Sequence, residues 1–184
     1  MWFLILPGTF YLVLIGGGCA WSQAREGFFD RSPAVDKPVS LNRAAFTLRY
    51  PGNWSVDTED EDSDPDHSFG IEPMWPIWVD AGIYVTIYDS PIDSLAEIDA
   101  TVAGLVEQPE VLSKTPIQRW GRYEGVGYEL SLEREGSHCR VVVFAATAED
   151  AGFEIMEHCD VDDWETMEPG FQLIRESFLL KRRR

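Results

Sequence analysis

Residues 125–159 read GVGYELSLEREGSHCRVVVFAATAEDAGFEIMEHC, and this stretch decides the fold. Apolar and polar side chains alternate through its first third, which is the period of a strand with one buried face. Turn signals at Glu135-Gly136 and around Glu149 divide the stretch into three strands and predict an antiparallel meander. A tight first turn fixes the register of the first hairpin. The predicted pairs are Arg134 with Ser137, Leu132 with Cys139, Leu130 with Val141, Tyr128 with Val143, and Val126 with Ala145.

The middle strand, residues 137–146, is apolar on both of its faces. Its apolar side chains alternate between the faces, with Val143 on one and Phe144 on the other. A strand that is buried on both faces has packed elements above and below it. We therefore expect residues 137–146 to form a central strand of the sheet.

The second turn decides where the two cysteines of this region lie. A symmetric loop centred on Glu149 sets Ala145 against Phe153, Val143 against Ile155, and Cys139 against Cys159. Opposite Cβ atoms lie about 4.5–5.5 Å apart and a disulfide prefers about 3.5–4.5 Å, so only the closer kind of strand pair can be bridged. A disulfide, two buried thiols and a metal site all stay open.

A zinc site with His138 and His158 as further ligands is disfavoured by strand geometry. Each histidine directly precedes a cysteine, at Cys139 and Cys159. Neighbours along a strand point to opposite faces, so the four side chains cannot converge on one ion. The same geometry weakens a catalytic dyad of cysteine and histidine.

Two segments have the period of an amphipathic helix. The first is residues 94–108, which opens with Ser94 and Glu97 in a capping-box pattern and is followed by Pro109. Its apolar stripe is Leu95, Ile98, Val102, Leu105 and Val106. The second follows Cys159, with Pro169 in its first turns and a stripe of Phe171, Ile174 and Phe178. Together with the central strand, these helices predict an α+β fold, an antiparallel β-sheet with helices packed on both faces as an α/β/α sandwich.

The remaining strands come earlier in the chain. Residues 46–50 alternate and meet a turn at residues 51–53, which predicts a hairpin with Trp54 and Val56. Further strands are predicted over residues 68–72, 81–88 and 112–122. Residues 57–67 carry too many carboxylates to pack together and are expected to be a solvated loop.

The N-terminal segment is typical of a targeting signal. Residues 2–18 are uncharged and mostly apolar, but the run is broken by Pro7 and ends in glycines. A spanning helix needs about 20 apolar residues, so an export signal is favoured. The small residues before Cys19 resemble the lipobox of bacterial lipoproteins, which implies that Cys19 is acylated. An ordinary cleaved signal, an uncleaved anchor and a buried strand are the alternatives.

The predicted organisation is a single domain behind a tether. Residues 1–19 are the signal or anchor, residues 20–43 lack periodicity and are expected to be a tether, residues 44–180 are the domain, and residues 181–184 are a basic tail. One domain suits a chain of 184 residues.

The charge balance excludes nucleic acid as a partner. Acidic residues outnumber basic ones by 32 to 15, for a net charge of −17. Nucleic-acid affinity depends on clustered Lys and Arg, and the only such cluster in the sequence is the tail at residues 181–184. We read the tail as a solvated end, with contact to anionic lipid headgroups as the alternative.

Three motifs occur in a characteristic order: FTLRYPGNW at residues 46–54, GVGY at residues 125–128 and IRESF at residues 174–178. With the strands and helix between them, they resemble the PsbP-like and DcrB-like superfamily over residues 45–180. The resemblance implies an antiparallel sheet flanked by helices on both faces, and export as lipoproteins for many bacterial members. It also implies binding or assembly roles rather than catalysis, and it carries over no catalytic residue.

Two further sets of residues are candidates for binding. Trp75 and Trp78, framed by prolines, are either an exposed knob for a protein partner or a lid over the core. Asp62, Asp64 and Asp66 recur at alternate positions as calcium ligands do, although the loop lacks the glycine and glutamate of that motif. Signatures of a nucleophile elbow, a zinc protease, a dithiol and a phosphate loop are absent from the sequence.

The leading hypothesis is a non-enzymatic, membrane-tethered envelope lipoprotein domain that binds a protein or contributes to an assembly. We expect it to be exported, attached to the cell envelope membrane on its periplasmic or extracellular face, and without a cofactor. The first alternative is a module that binds a divalent cation or small ligand through the acidic loop at residues 57–67. The second is a cryptic hydrolase built from dispersed residues, and a concave pocket with convergent polar groups would favour it.

Overall fold

The computed structural model describes residues 32–57, 64–74, 80–105, 110–134, 136–148 and 150–181. Two α-helices, a 3₁₀ turn and ten strands occur within those residues. The strands are β1 (Val39–Asn42), β2 (Phe46–Tyr50), β3 (Trp54–Asp57), β4 (Ser68–Pro73), β5 (Ala81–Tyr88), β6 (Glu110–Trp120), β7 (Tyr123–Arg134), β8 (Ser137–Ala148), β9 (Ala151–Asp160) and β10 (Leu179–Leu180). The helices are α1 (Ser94–Leu105) and α2 (Trp164–Ser177), and the 3₁₀ turn is Val161–Asp163.

The strands form two antiparallel sheets. The larger has the order β3-β4-β5-β9-β8-β7-β6, and the smaller has the order β1-β2-β10. The prediction of a mostly antiparallel sheet with two helices is therefore confirmed. Within the described residues, we find no helix that is both long enough and apolar enough to cross a membrane.

Strand β8 is an interior strand, as the sequence predicts. It lies between β7 and β9, and its apolar residues 141–146 are all buried. The register of β7 against β8 is the predicted one, with Leu132 opposite Cys139 and Val126 opposite Ala145. The tight turn at Gly136, which has a positive φ of 86°, fixes that register.

The predicted register of β8 against β9 is wrong by one residue. Ala148 pairs with Ala151, so the turn holds two residues instead of a symmetric loop. Cys139 therefore lies opposite Asp160 instead of Cys159. A one-residue slip moves every side chain to the other face. In the observed register, Phe153 joins Phe144 in the aromatic core, at a ring distance of 6.2 Å.

The two faces of β8 belong to different hydrophobic clusters. Val142, Phe144 and Ala146 pack in the larger cluster, which includes Phe171 and Ile174 of α2. The other face packs in a smaller cluster with α1, and its members are Val141, Val143, Ala145, Ile98, Val102, Leu130 and Leu132. Burial of each large apolar side chain stabilises the fold by roughly 1.5–3 kcal/mol.

The predicted hairpin between residues 46–50 and Trp54 is wrong, because β2 and β3 lie in different sheets. β2 pairs instead with β1 and β10. Trp54 enters the larger sheet and packs edge-on against Phe171 of α2, with ring centroids 5.4 Å apart. The tether predicted over residues 20–43 overlaps β1, so the folded part begins earlier than position 44.

The helices differ from prediction in detail. The cap of α1 is Asp93 and not Ser94, because the Asp93 carboxylate accepts the backbone N–H of Ala96 at 3.3 Å. Leu95, expected on the buried stripe, is 51% exposed. Helix α2 begins at Trp164, so Pro169 is its sixth residue and lies in its second turn.

Candidate functional site

Glu157 of β9 is the buried charged residue of the described core, with no exposed surface. The indole N–H of Trp120 donates to its Oε1 at 2.7 Å. Arg175 of α2 donates to both oxygens, through Nη2 to Oε2 at 2.8 Å and through Nε to Oε1 at 3.3 Å. These bonds offset the large cost of burying a charge.

The electrostatics of this pair are set by burial. Burial raises the pKa of Glu157 above its ordinary value, and the charge and hydrogen bonds of Arg175 and the bond from Trp120 act against that rise. Arg175 is 25% exposed and also pairs with Glu168 at 3.3 Å. Glu157 therefore fixes the guanidinium of Arg175 on the side of the core, and the Arg175 side chain stays partly exposed.

Arg175 lines an open cavity of about 730 Å³ between α2 and the turn that joins β6 to β7. We call this cavity the β6–β7 trough, and its lining residues are Arg119, Gly121, Arg122, Glu168, Gln172, Arg175 and Glu176. A second cavity, of about 580 Å³, lies along the β6–β7 hairpin and is lined by Pro116, Ile117, Gln118, Arg119, Glu124, Gly125, Val126, Gly127 and Tyr128.

The hairpin turn is fitted closely against the end of α2. Gly121 has a positive φ of 55°, and a Cβ there would lie 2.2 Å from the carbonyl oxygen of Arg175. Arg122 donates through Nη2 to the carbonyl of Glu176 at 3.2 Å, which satisfies an acceptor in the last turn of the helix. The turn and the helix therefore form one fixed wall.

The apolar residues near the second cavity lie on both faces of the hairpin. Ile117 packs with the larger cluster on the face of Gly127, whereas Tyr128 packs with the smaller cluster on the other face. The Lys114 ammonium lies over the Tyr128 ring, 3.7 Å from its centre.

The cysteines predicted to pair are both thiols. Because Cys139 is opposite Asp160 and Arg140 is opposite Cys159, the cysteines lie on opposite faces of the sheet. The Cys139 thiol donates to Asp160 Oδ1 at 3.3 Å. The expectation that both cysteines share one face, on which the disulfide depended, is wrong.

Asp64 and Asp66 lie in a separate polar cluster around His67. The ring of His67 contacts two carboxylates, through Nδ1 to Asp64 at 2.8 Å and through Nε2 to Asp89 at 2.7 Å. The backbone N–H of Asp66 donates to the other Asp64 oxygen at 2.9 Å, and this bond, followed by that of His67, lowers the pKa of Asp64. Across the described ranges, no three His, Cys, Asp or Glu side chains are arranged to hold a metal ion.

Several predicted site residues fall outside the described ranges. They are Cys19, Asp62, Trp75, Trp78 and residues 182–184 of the tail. Lys181 is described, and its ammonium donates to Asn42 Oδ1 at 2.5 Å and to the carbonyl of Arg43.

Comparison with known proteins identifies the fold. CyanoP, the cyanobacterial PsbP of Synechocystis sp. PCC 6803, matches 79% of this chain and 92% of its own at 13% identity, with a TM-score of 0.52. LpqN of Mycobacterium tuberculosis, which is described as involved in cell envelope biogenesis, matches 79% and 90% at 15% identity, with a TM-score of 0.51. A Bacteroides thetaiotaomicron protein matches 79% of this chain and 48% of its own at 11% identity, with a TM-score of 0.51.

The domain has the PsbP-like fold. The family resemblance seen in the sequence is thereby confirmed at the level of fold. No family model and no curated protein matches the sequence.

Sequence reasoning missed the trough of this PsbP-like domain. Its arginines come from β6, from the following turn and from α2, so no local motif contains them. One signal was available in β9, where Glu157 interrupts the apolar alternation of Phe153, Ile155 and Cys159. A charged residue at a buried position requires a partner, and that partner, Arg175, lines the trough.

Proposed function

We propose that this PsbP-like domain is a non-enzymatic binding domain of the cell envelope, and that it holds a protein partner. The observation that carries the proposal is the β6–β7 trough, a concave surface with three guanidinium groups. Arg is enriched among the residues that dominate protein interfaces. The shared fold with LpqN, a protein involved in cell envelope biogenesis, supports the location.

The arrangement of helices is part of this proposal. We interpret the domain as an α/β/α sandwich in which α1 covers one face of the larger sheet and α2 covers the other. The separate clusters that contain Val143 with Ile98 and Phe144 with Phe171 support it. In this arrangement, the turn of the β6–β7 hairpin meets the end of α2, where the trough lies.

The test of the function is a crosslinked pull-down from native membranes with the full-length chain as bait. The control bait carries residues 1–31 fused to an unrelated soluble domain, so that it shares the membrane location but lacks the fold. We expect at least one protein to be enriched by the full chain over the control. Identical protein sets from the two baits would refute a binding role for the domain.

We further propose that Cys19 carries the lipid that attaches the domain to the membrane, since the residues before it resemble a lipobox. Replacing Cys19 by Ala is expected to abolish incorporation of labelled fatty acid and to move the protein from the membrane fraction to the soluble fraction. A variant that stays in the membrane fraction would exclude acylation at this residue as the anchor.

A further inference from the structure

We propose that the smaller sheet is the surface with which the domain lies on an anionic phospholipid bilayer. This surface belongs to residues 32–53 and 177–181, which contain β1, β2 and β10 and which we call the small-sheet unit. The inference rests on the proposed attachment through Cys19, and it adds to that attachment an orientation of the domain and a class of lipid.

The small-sheet unit is a positively charged part of an acidic chain. It contains a single carboxylate, Asp36, and four cations, which are Lys37, Arg43, Arg49 and Lys181. Its net charge is therefore +3, in a chain whose net charge is −17. Asp66 approaches the unit from outside, with its Oδ1 3.4 Å from the backbone nitrogen of Ala44. The unit stays positive even when this carboxylate is included.

The four cations are not neutralised by carboxylates. Across the described part of the chain, none of the four forms an ion pair. The Lys181 ammonium donates to neutral oxygens, at 2.5 Å to Asn42 Oδ1 and also to the carbonyl of Arg43. By contrast, three arginines outside the unit each pair with a glutamate, and these are Arg119, Arg140 and Arg175. The charges of the unit are therefore available to an external anion.

The outer face of the smaller sheet combines positive charge with an exposed apolar side chain. Phe46 and Leu48 of β2 are buried in the core, so Thr47 and Arg49 lie on the opposite face of the strand. Leu179 pairs with Thr47 and is 41% exposed. A bilayer interface accommodates both kinds of side chain, because cations meet the headgroup phosphates and apolar groups reach the acyl boundary.

One end of the unit carries the segment that leads to the proposed lipid. Asn53 fixes this end, because its Nδ2 donates to the carbonyl of Ser32 at 3.0 Å and its Oδ1 accepts the N–H of Ala34 at 2.8 Å. Residues 20–31 connect Ser32 to Cys19, and a segment of this length spans at most about 40 Å. A lipid on Cys19 therefore keeps the unit near the bilayer and raises its effective concentration there.

The other end of the unit carries the basic end of the sequence. Lys181 directly follows β10, and its backbone N–H donates to the carbonyl of Ala45 at 2.8 Å. Residues 182–184 are three further arginines, and three residues extend at most about 11 Å. Strand β2 connects this end to the end at Asn53, so the outer face between them is directed along the bilayer.

The test measures the reactivity of lysines on vesicles. The full-length chain is reconstituted on vesicles of phosphatidylcholine alone or of equal parts phosphatidylcholine and phosphatidylglycerol. Lysines are acetylated with uncharged N-hydroxysuccinimide acetate and followed by peptide mass spectrometry. Lys114, which is exposed on β6 outside the unit, is the internal control.

We expect acetylation of Lys181 to be at least about fivefold slower on the anionic vesicles, because the cations of the unit are held at the headgroups. The rate at Lys114 should be the same on both kinds of vesicle. Equal rates at Lys181 on the two kinds of vesicle, or equal slowing at both lysines, would overturn the proposal.

A matched pair of variants locates the contact. Lys37→Gln with Arg49→Gln removes two cations of the unit, and Arg119→Gln with Arg122→Gln removes two cations of the trough. Both variants retain Lys181 for the measurement. We expect its slowing to fall below about twofold in the first variant and to be unchanged in the second. Equal effects of the two variants would assign the slowing to overall charge and overturn the surface.

The remaining outcomes separate the lipid surface from a protein contact and from the anchor. Slowing at Lys181 in native membranes, but not on vesicles of purified phospholipid, would assign the surface to a membrane protein and overturn the proposal. Slowing on anionic vesicles, with Cys19→Ala still in the membrane fraction, would support the surface and refute only acylation. Absence of slowing in a chain that carries the lipid would refute the surface and leave the proposed anchor intact.

Discussion

At the scale of the residue, Glu157 organises the region that we propose to be functional. It is a carboxylate in an aromatic core, and its bonds to Trp120 and Arg175 connect β9 to β6 and α2. Breaking such a pair from one side leaves an uncompensated buried group. The same residue therefore holds the fold together and presents Arg175 at the trough.

Removing Arg175 is expected to destabilise the domain in a pH-dependent way. Without the guanidinium, the pKa of Glu157, already raised by burial, rises further. The folded state then binds a proton more tightly than the unfolded state, so stability falls as the pH increases above the ordinary carboxyl value of 4.5. Urea unfolding of Arg175→Ala should show a loss of about 3 kcal/mol at pH 8 and a smaller loss at pH 4.5.

The control for this prediction is Arg49→Ala, which removes one exposed cation. Its effect on the free energy of unfolding should be small and nearly the same at both pH values. An equal loss for Arg175→Ala at both pH values would contradict the assignment of Glu157 as the titrating group.

The two thiols of the sheet should differ in reactivity. Burial raises the pKa of the Cys159 thiol to about 12, and the side chain is fully buried, whereas Cys139 is partly exposed. Since the thiolate is the nucleophile, iodoacetamide at pH 8 should modify Cys139 in the folded protein and Cys159 only after unfolding. Peptide mapping by mass spectrometry measures the extent of alkylation at both cysteines. A linked Cys139–Cys159 peptide without reductant would contradict the observed register.

At the scale of the element, the β7 strand depends on its glycines. A Cβ at Gly127 would lie 2.3 Å from the carbonyl oxygen of Val143, and one at Gly125 would lie 2.3 Å from that of Ala145. The GVGY motif therefore marks a place where β7 and β8 approach closely.

Gly127→Ala is expected to destabilise the domain by about 2–3 kcal/mol, because the backbone of β8 must move to admit the methyl group. The matched control is Gly104→Ala in α1, where nothing lies within 4 Å of a new Cβ. That change should stabilise the domain by up to about 1 kcal/mol through helix propensity. Urea unfolding compares the two, and an unchanged midpoint for Gly127→Ala would refute the close approach.

The edge strand β6 is protected against pairing with other strands. Lys114 and Pro116 lie within it, and its register against β7 shifts twice. Charged residues, prolines and bulges are the usual means of blunting an edge. Because β6 is protected against pairing, we expect a partner to contact side chains of the trough and not to add a strand to the edge of the sheet.

The elements that the sequence predicted best were those with a strong local period. The β7–β8 hairpin, β5 and the central position of β8 followed from alternation and from the turn at Gly136. The β8–β9 register could not be predicted in this way, because a loop around Glu149 can hold either three or two turn residues. Only the packing of Phe153 and Ile155 decides between them.

At the scale of the whole molecule, long-range pairing was beyond sequence reasoning. The assignment of β2 and β3 to separate sheets depends on the packing of Trp54 under α2, which no local pattern reports. The trough could not be predicted from the sequence for the same reason, since its residues come from β6, the following turn and α2. The PsbP-like fold was accessible because its short motifs occur in a fixed order along the chain.

The proposal that the β6–β7 trough holds a protein partner is tested by the amount of partner recovered from native membranes. The baits are the full-length chain, Arg119→Gln with Arg122→Gln in the trough, and Lys37→Gln with Arg49→Gln, which removes two exposed cations that do not line the trough. We expect recovery to be lost with the trough variant and preserved with the other. Undiminished recovery by the trough variant would contradict the binding site.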